Sequence, residues 1–367
     1  MMPLFSIIIP CYNQSHFLND AIHSVLAQDF TDLEILIIND GSTDETKQTG
    51  EYFAGTDSRI RIISQTNKGL SNARNTGITN SSGQYLHFLD ADDWVLPRCY
   101  SEIEKRITNK SLEVIGVGYS YRTEINSEPM QVVIPSSSKS VYPEVLEANI
   151  GPCHSFFVPR QLVLELGMFD ESLKSGEDWD LWIRLAKTDV EFSFIEKEFV
   201  VYRYVPDSMS RNGFQMYQEL KKVFLRGISF DDRIGENFIR NKEHQINSAD
   251  ALKRILIQCL GITVLQGLLL DSIQLLEKEK LSFKMFFFPI DFKVMNSYLT
   301  FRYWKDADSL KALLEKNEPV FKSFFQHIFS QEKEVKSALS NVFQPARKRL
   351  NHARFGSLLG SIINRTI

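Results

Sequence analysis

Residues 85–97 read YLHFLDADDWVLP, an apolar run that ends in three carboxylates within four positions, Asp90, Asp92 and Asp93. In an extended segment residues two apart share a face while the one between points away. Asp90 and Asp92 then converge, and oxygen ligands suit Mg2+ or Mn2+. The stretch alone leaves open which acid does chemistry and which closes the turn. A second acidic group stands in GMFDESLKSGEDWDLWIRLA (167–186). There Leu181, Trp182, Leu185 and Ala186 line one helix face, so a helix is expected to begin near Glu177 to Trp179 with the acids in its first turn. Acids at that position complement the helix dipole, which would tend to keep Asp178 ionised. Asp180 and Arg184, four residues apart, are expected to pair on the helix surface, whereas Glu177 and Asp178 have no such partner in the sequence.

The elements that would position these acids are legible as alternating runs. SIII (6–9), ended by Pro10, reads as a buried strand, followed by a helix in HFLNDAIHSVLAQ, where Leu18, Ala21, Ile22, Val25 and Leu26 share a face. LEILII (33–38) repeats the strand pattern and stops at Asn39-Asp40-Gly41, where glycine permits a turn with positive φ. Further strands are expected at IRII (60–63), YLHFL (85–89) and EVIGVGYSY (113–121). Such alternation implies a doubly wound, mostly parallel sheet covered on both faces, with ligands beyond the carboxyl ends of the strands. The segments that would face that crevice are 10–13, 40–44, 67–74 and 90–93. Three of the four carry carboxylates, amides or a guanidinium directly after an apolar strand; singly, Asp40-Gly41 and Ser42-Thr43-Asp44 are ordinary turn and helix-cap chemistry, but jointly that reading is weaker.

Length and composition bound the reading. The chain has 367 residues, 43% hydrophobic and 24% charged, an ordinary globular composition long enough for about two domains. A net charge of −4 argues against a whole-chain nucleic-acid footprint. Cys11, Cys99, Cys153 and Cys259 form no CxxC pair, so no zinc knuckle or thioredoxin-type motif is written here and reduced, cytosolic thiols are expected. The apolar start of MMPLFSIIIP stops at Pro10 without a basic region, which reads as a first strand and not a secretory signal. From about Met216 the text turns helical. The uncharged run Ile255 to Leu270 is shorter than the roughly 20 residues a spanning helix needs and reads as a buried core helix. MFFFPIDF (285–292) and the tail PARKRLNHARFGSLLGSIINRTI, with Arg347, Lys348, Arg349 and Arg354, could lie on an anionic membrane surface or pack on a helix or second subunit; packing is the favoured reading.

In order, SIIIPCYNQSHFLNDAIHSVLAQ, ILIINDGSTDET, NKGLSNARNTGI, LDADDWVLP and GMFDESLKSGEDWDLWIRL resemble the successive signatures of the inverting nucleotide-sugar glycosyltransferases of family 2, over about residues 4–205. The resemblance implies a GT-A fold, a catalytic domain over 1–215 and a helical accessory domain over 216–367. It implies a nucleotide-sugar donor, with uracil the expected base, and a saccharide or lipid-linked acceptor in cell-surface glycan synthesis. The expected location is cytoplasmic or peripheral to the inner face of the membrane, with a homo-oligomer through the C-terminal helices as a further expectation.

Site roles follow from the same resemblance. Asp92, the second acid of the motif, is expected to bind Mn2+ or Mg2+, with Asp90 nearer the ribose and the metal's water shell; a divalent cation stabilises the charge on the departing pyrophosphate. Asp93 is expected to cap the WVLP turn. Pro10 and Tyr12 fall on the donor side, Tyr12 offering a face for base stacking, and Asp40 would accept from the imide N–H of uracil. Arg74 would help hold the donor or form a core salt bridge. Inversion needs a base that deprotonates the attacking hydroxyl, expected to be Asp178, with Glu177 orienting the acceptor or the loop and His154 near the sugar or acceptor.

Three competitors are weaker. A sugar-phosphate nucleotidyltransferase would show a glycine-rich phosphate loop with a basic residue after the first strand, and PCYNQSHF has neither. A glycosidase needs two opposed carboxylates but no nucleotide site. An inactive glycan-binding relative would not be expected to keep all of these acids.

Overall fold

A computed structural model describes residues 2–107, 112–136, 141–205, 212–297 and 307–366. The chain divides into two compact units, Met1–Pro206 with Val223–His244, and Asp207–Lys222 with Gln245–Ile367.

The first unit begins with the expected alternation: β1 (Phe5–Cys11), α1 (Ser15–Leu26), β2 (Leu33–Asp40), α2 (Thr46–Thr56), β3 (Ile60–Gln65), α3 (Leu70–Asn80) and β4 (Tyr85–Phe88). These strands pair in parallel in the order β3-β2-β1-β4. All seven residues of β1 are buried, as a strand covered on both faces requires. The strand runs through Pro10 instead of stopping there. Ile8 accepts from Leu89 N on the β4 side, and Pro10, two residues on, faces the same side where β4 has already ended at Phe88. The missing N–H therefore breaks no ladder. At the end of β2, Gly41 has φ +75°, and a Cβ there would lie 2.6 Å from Asn67 N.

Past β4 the sheet becomes mixed. β5 (Trp94–Val95), α4 (Cys99–Arg106), β6 (Glu113–Arg122), β7 (Gln131–Val133), β8 (Phe156–Pro159), α5 (Arg160–Glu165), α6 (Glu177–Lys187) and β9 (Glu191–Arg203) complete it. The order continues β4-β8-β6-β9-β5, with β8 antiparallel to both neighbours and β9 parallel to β6. This places the start of β8, the acid turn after β4 and the end of β9 side by side.

α7 (Gly213–Gly227) contains the boundary expected after residue 215 and carries the chain from the second unit back into the first. The second unit is helical, with α8 (Ser248–Leu265), α9 (Leu269–Phe283), α10 (Ala307–Ile328) and α11 (Glu332–Thr366). The uncharged run breaks at Gly267, φ +80°, and its α8 part, including Ile255, Leu256, Ile257 and Leu260, is buried. Among the described residues no helix is long and apolar enough to cross a membrane. α11 packs up to the start of the basic tail, with Val335, Ala338, Val342 and Phe343 buried; within the tail Ala346 is buried and Arg347 pairs with Glu318, while Lys348 and Arg349 are exposed. Arg354 lies outside the residues whose side chains are described.

Candidate active site

The loops beyond the parallel strands are tied to one another. Asn13 Oδ1 accepts from Thr43 N at 2.8 Å, and Asn13 N donates to Ser42 Oγ at 3.0 Å. Tyr12 stands beside them at the rim, 49% exposed, with its ring free to stack. Asp40 is buried and accepts from Gln65 Nε2 at 2.8 Å, Lys68 N at 2.9 Å and Gly69 N at 2.9 Å. A carboxylate has about four acceptor positions, so with these three Asp40 fastens the entry to α3 and has one position left over. Pro10 lies within buried β1 and presents no open surface.

The acid turn differs from its expected geometry. Asp93 N donates to Asp90 O at 3.0 Å, closing a tight turn, so the alternation that would place Asp90 and Asp92 on one face of an extended segment does not apply. Arg74, only 2% exposed, donates to Asp90 Oδ1 and to Glu177 Oε1, each at 2.7 Å. Of its two expected roles, the core salt bridge is the one observed, and it gives Glu177 the partner its sequence context lacked. Asp93 is not a turn cap. It is buried, with Oδ1 accepting from Arg203 N at 2.7 Å and Oδ2 lying 2.7 Å from His154 Nδ1.

His154 sits in the short turn before β8, fully buried, its carbonyl accepting from His87 Nε2 at 2.8 Å. The Nδ1 contact with Asp93 has ion-pair length but lies off the hydrogen-bond direction. Burial disfavours charge on this ring, yet the Asp93, Asp90 and Asp92 carboxylates outweigh it and raise its pKa. Burial raises the Asp93 carboxyl in turn, so the two buried groups share this contact with their titrations linked.

Asp92 is left as the half-buried acid of the turn, with no ion pair to a described residue. Burial, then Asp93 and Asp90, push its carboxyl up to about 8. A crowded carboxylate without a countercharge fits a divalent cation. Ligand atoms of Asp90, Asp93 and His154 also lie within 4.8 Å of one another. Because Asp93 is in contact with His154 and Asp90 is paired with Arg74, Asp92 is the acid of the turn left without a cationic partner among the described residues.

On the opposite wall, α6 begins at Glu177 as expected. Asp178 Oδ1 accepts from Trp179 N at 2.7 Å and from Asn149 Nδ2 at 3.1 Å. Burial and the neighbouring Glu177 charge push Asp178 up to about 7, outweighing Arg74. The expectation that the helix start alone would keep it ionised is corrected: desolvation dominates. Asp180 and Arg184 do pair, at 2.9 Å, but in the core. The 223–244 segment covers this face, and Arg233 joins Asp180 at 2.8 Å while Arg184 donates to the Leu166 and Met168 carbonyls.

The structure adds Asn149 and Arg203, which the sequence reading did not single out. Arg203 closes β9, and its contact with Asp93 of the acid turn spans 110 positions of sequence.

A model described as glycosyl transferase family 2 matches residues 6–161. An uncharacterized glycosyltransferase of Rickettsia typhi is 30% identical over 67% of this chain and 78% of its own length. The uncharacterized glycosyltransferase EpsJ of Bacillus subtilis is 28% identical over 64% of this chain and 72% of its own. The crystal structure of S. aureus TarS 1-349 in complex with UDP-GlcNAc superposes with a TM-score of 0.52 at 16% identity, covering 93% of this chain and 91% of that one, which shows a shared fold. The α/β unit with its crevice of acids has the GT-A fold, and the chain belongs to glycosyltransferase family 2.

Proposed function

We propose that this enzyme transfers a sugar, with inversion, from a uridine diphosphate sugar to a hydroxyl of a saccharide or lipid-linked saccharide in cell-surface glycan synthesis. The observation that carries the reading is the Arg74 bridge: it ties Asp90 to Glu177, and so joins the turn that carries Asp92 to the helix start that carries the base candidate Asp178. In this reading Asp178 takes the acceptor proton on Oδ2, since Asn149 and Trp179 occupy Oδ1. Glu177 is committed to Arg74 and orients the wall. Asp92, with Asp90, would hold Mn2+ or Mg2+, which when bound supplies positive charge to the departing pyrophosphate. Tyr12 stacks on the base, and the remaining acceptor position of Asp40 meets its imide N–H.

The uridine assignment draws on the TarS structure solved with UDP-GlcNAc. The acceptor class draws on a relative named as a putative teichuronic acid biosynthesis glycosyltransferase of Bacillus subtilis, 26% identical over 60% of this chain and 90% of its own length. We assign catalysis to the first unit, which holds most of the expected domain 1–215 and adds the Val223–His244 segment, and an accessory role to the second, helical unit. The test is release of UDP from a panel of UDP-sugars with Mn2+, with and without EDTA. Loss of release in EDTA and in Asp92→Asn is expected, while full activity with EDTA present would sink the cation assignment.

A further inference from the structure

Arg203 ends β9 with its guanidinium 4.6 Å from the ring centres of both Phe17 and Trp94. Its side chain is 6% exposed, so it is not a surface ligand. Nε donates to the Asp92 carbonyl at 2.7 Å, one terminal nitrogen to Asp20 Oδ2 on α1 at 2.6 Å, and the other to the Thr123 carbonyl at 3.3 Å. The Arg203 main-chain N–H donates to Asp93 Oδ1 at 2.7 Å. One residue thus grips the acid turn twice, by side chain and by backbone, and anchors it to α1 and to the end of β6. Asp93 passes the constraint on to His154, whose carbonyl His87 holds.

The turn needs such a hold. Its own closure is a single hydrogen bond, from Asp93 N to Asp90 O. A cation ligand must be fixed in direction, and outer partners that orient ligands typically change metal affinity about 10–100-fold when removed. Only a planar guanidinium places separate N–H groups on the Asp92 carbonyl and Asp20 while stacking between two rings; an ammonium cannot.

We propose that Arg203 is a positioning residue for the cation site, acting through the backbone of Asp92 and the carboxylate of Asp93 and braced by Asp20. This rests on the cation-dependent reading above. The experiment is calorimetric titration of Mn2+ into the full chain in the presence of UDP, for wild type, Arg203→Lys and Asp20→Asn, with thermal melts alongside. Arg203→Lys is expected to bind Mn2+ about tenfold more weakly. Asp20→Asn is expected to weaken Mn2+ binding several-fold with a cooperative melt near wild type, although Asp20 accepts from Arg203 and sits on α1, outside the acid turn. Asp20→Asn keeps the test decisive if Arg203→Lys fails to fold. Wild-type Mn2+ affinity in the folded variants overturns the positioning role. A wild-type chain that takes up no Mn2+ overturns the cation reading and this inference with it.

Discussion

In the proposed reaction Asp178 has one carboxylate oxygen left for the acceptor, because Asn149 and Trp179 hold the other, and its environment decides when it can act as a base. A base must be ionised, and burial with Glu177 raises this carboxyl to about 7. Turnover should therefore rise with pH through about 7 and then level. Glu177→Gln removes the like charge, so the acid limb of the kcat/KM profile should move to lower pH; a limb that stays in place contradicts the assigned coupling. Asp92 makes a different prediction. As an uncompensated, half-buried acid it opposes folding when no cation is present. Asp92→Asn should raise cation-free stability by about 1 kcal/mol, discounted for its partial exposure, while abolishing Mn2+-dependent transfer. Urea unfolding in EDTA reads the first effect, and a destabilised variant would contradict it.

At the scale of elements, α6 is the part whose placement matters most, because it carries both Glu177 and Asp178. Its buried face is fixed by Asp180, which joins Arg184 within the helix and Arg233 from the 223–244 segment. Asp180→Asn leaves a buried guanidinium uncompensated and should cost about 3–5 kcal/mol in urea unfolding; a change below about 1 kcal/mol would mean that the network does not hold the helix. The start of α6, like β1 to β4 and α1, was legible because its signal is local: apolar residues at helical or strand spacing within about a dozen positions. β8 and β9 were not. β8 is four residues long, and β9 carries Glu191, Glu196 and Lys197 among its apolar residues. The same limit explains the site. The types Asp92, Asp178 and Arg74 could be picked out, but Asp93 looked like a turn residue and Asp180 like a surface acid, since the partners that bury them come from distant segments.

In the whole molecule, the first unit carries every group of the proposed reaction, and the second is a helical unit. Its core is aromatic, with Phe292, Phe321, Phe324 and Phe325 buried. The start of the basic tail packs within this unit, through buried Ala346 and the Arg347–Glu318 pair, so packing and not anchoring is the expected role of the tail. The full chain and a version ending at Gln344 should partition equally onto anionic vesicles in flotation, and enrichment of the full chain alone would contradict this. The central claim is that Asp178 is the base of a UDP-sugar transfer whose donor site lies on the other wall of the same crevice. The direct measurement is donor affinity and UDP release, in Mn2+, for wild type and Asp178→Asn. The account predicts unchanged donor binding with UDP release reduced about 100-fold or more. An Asp178→Asn variant that releases UDP at the wild-type rate would contradict it.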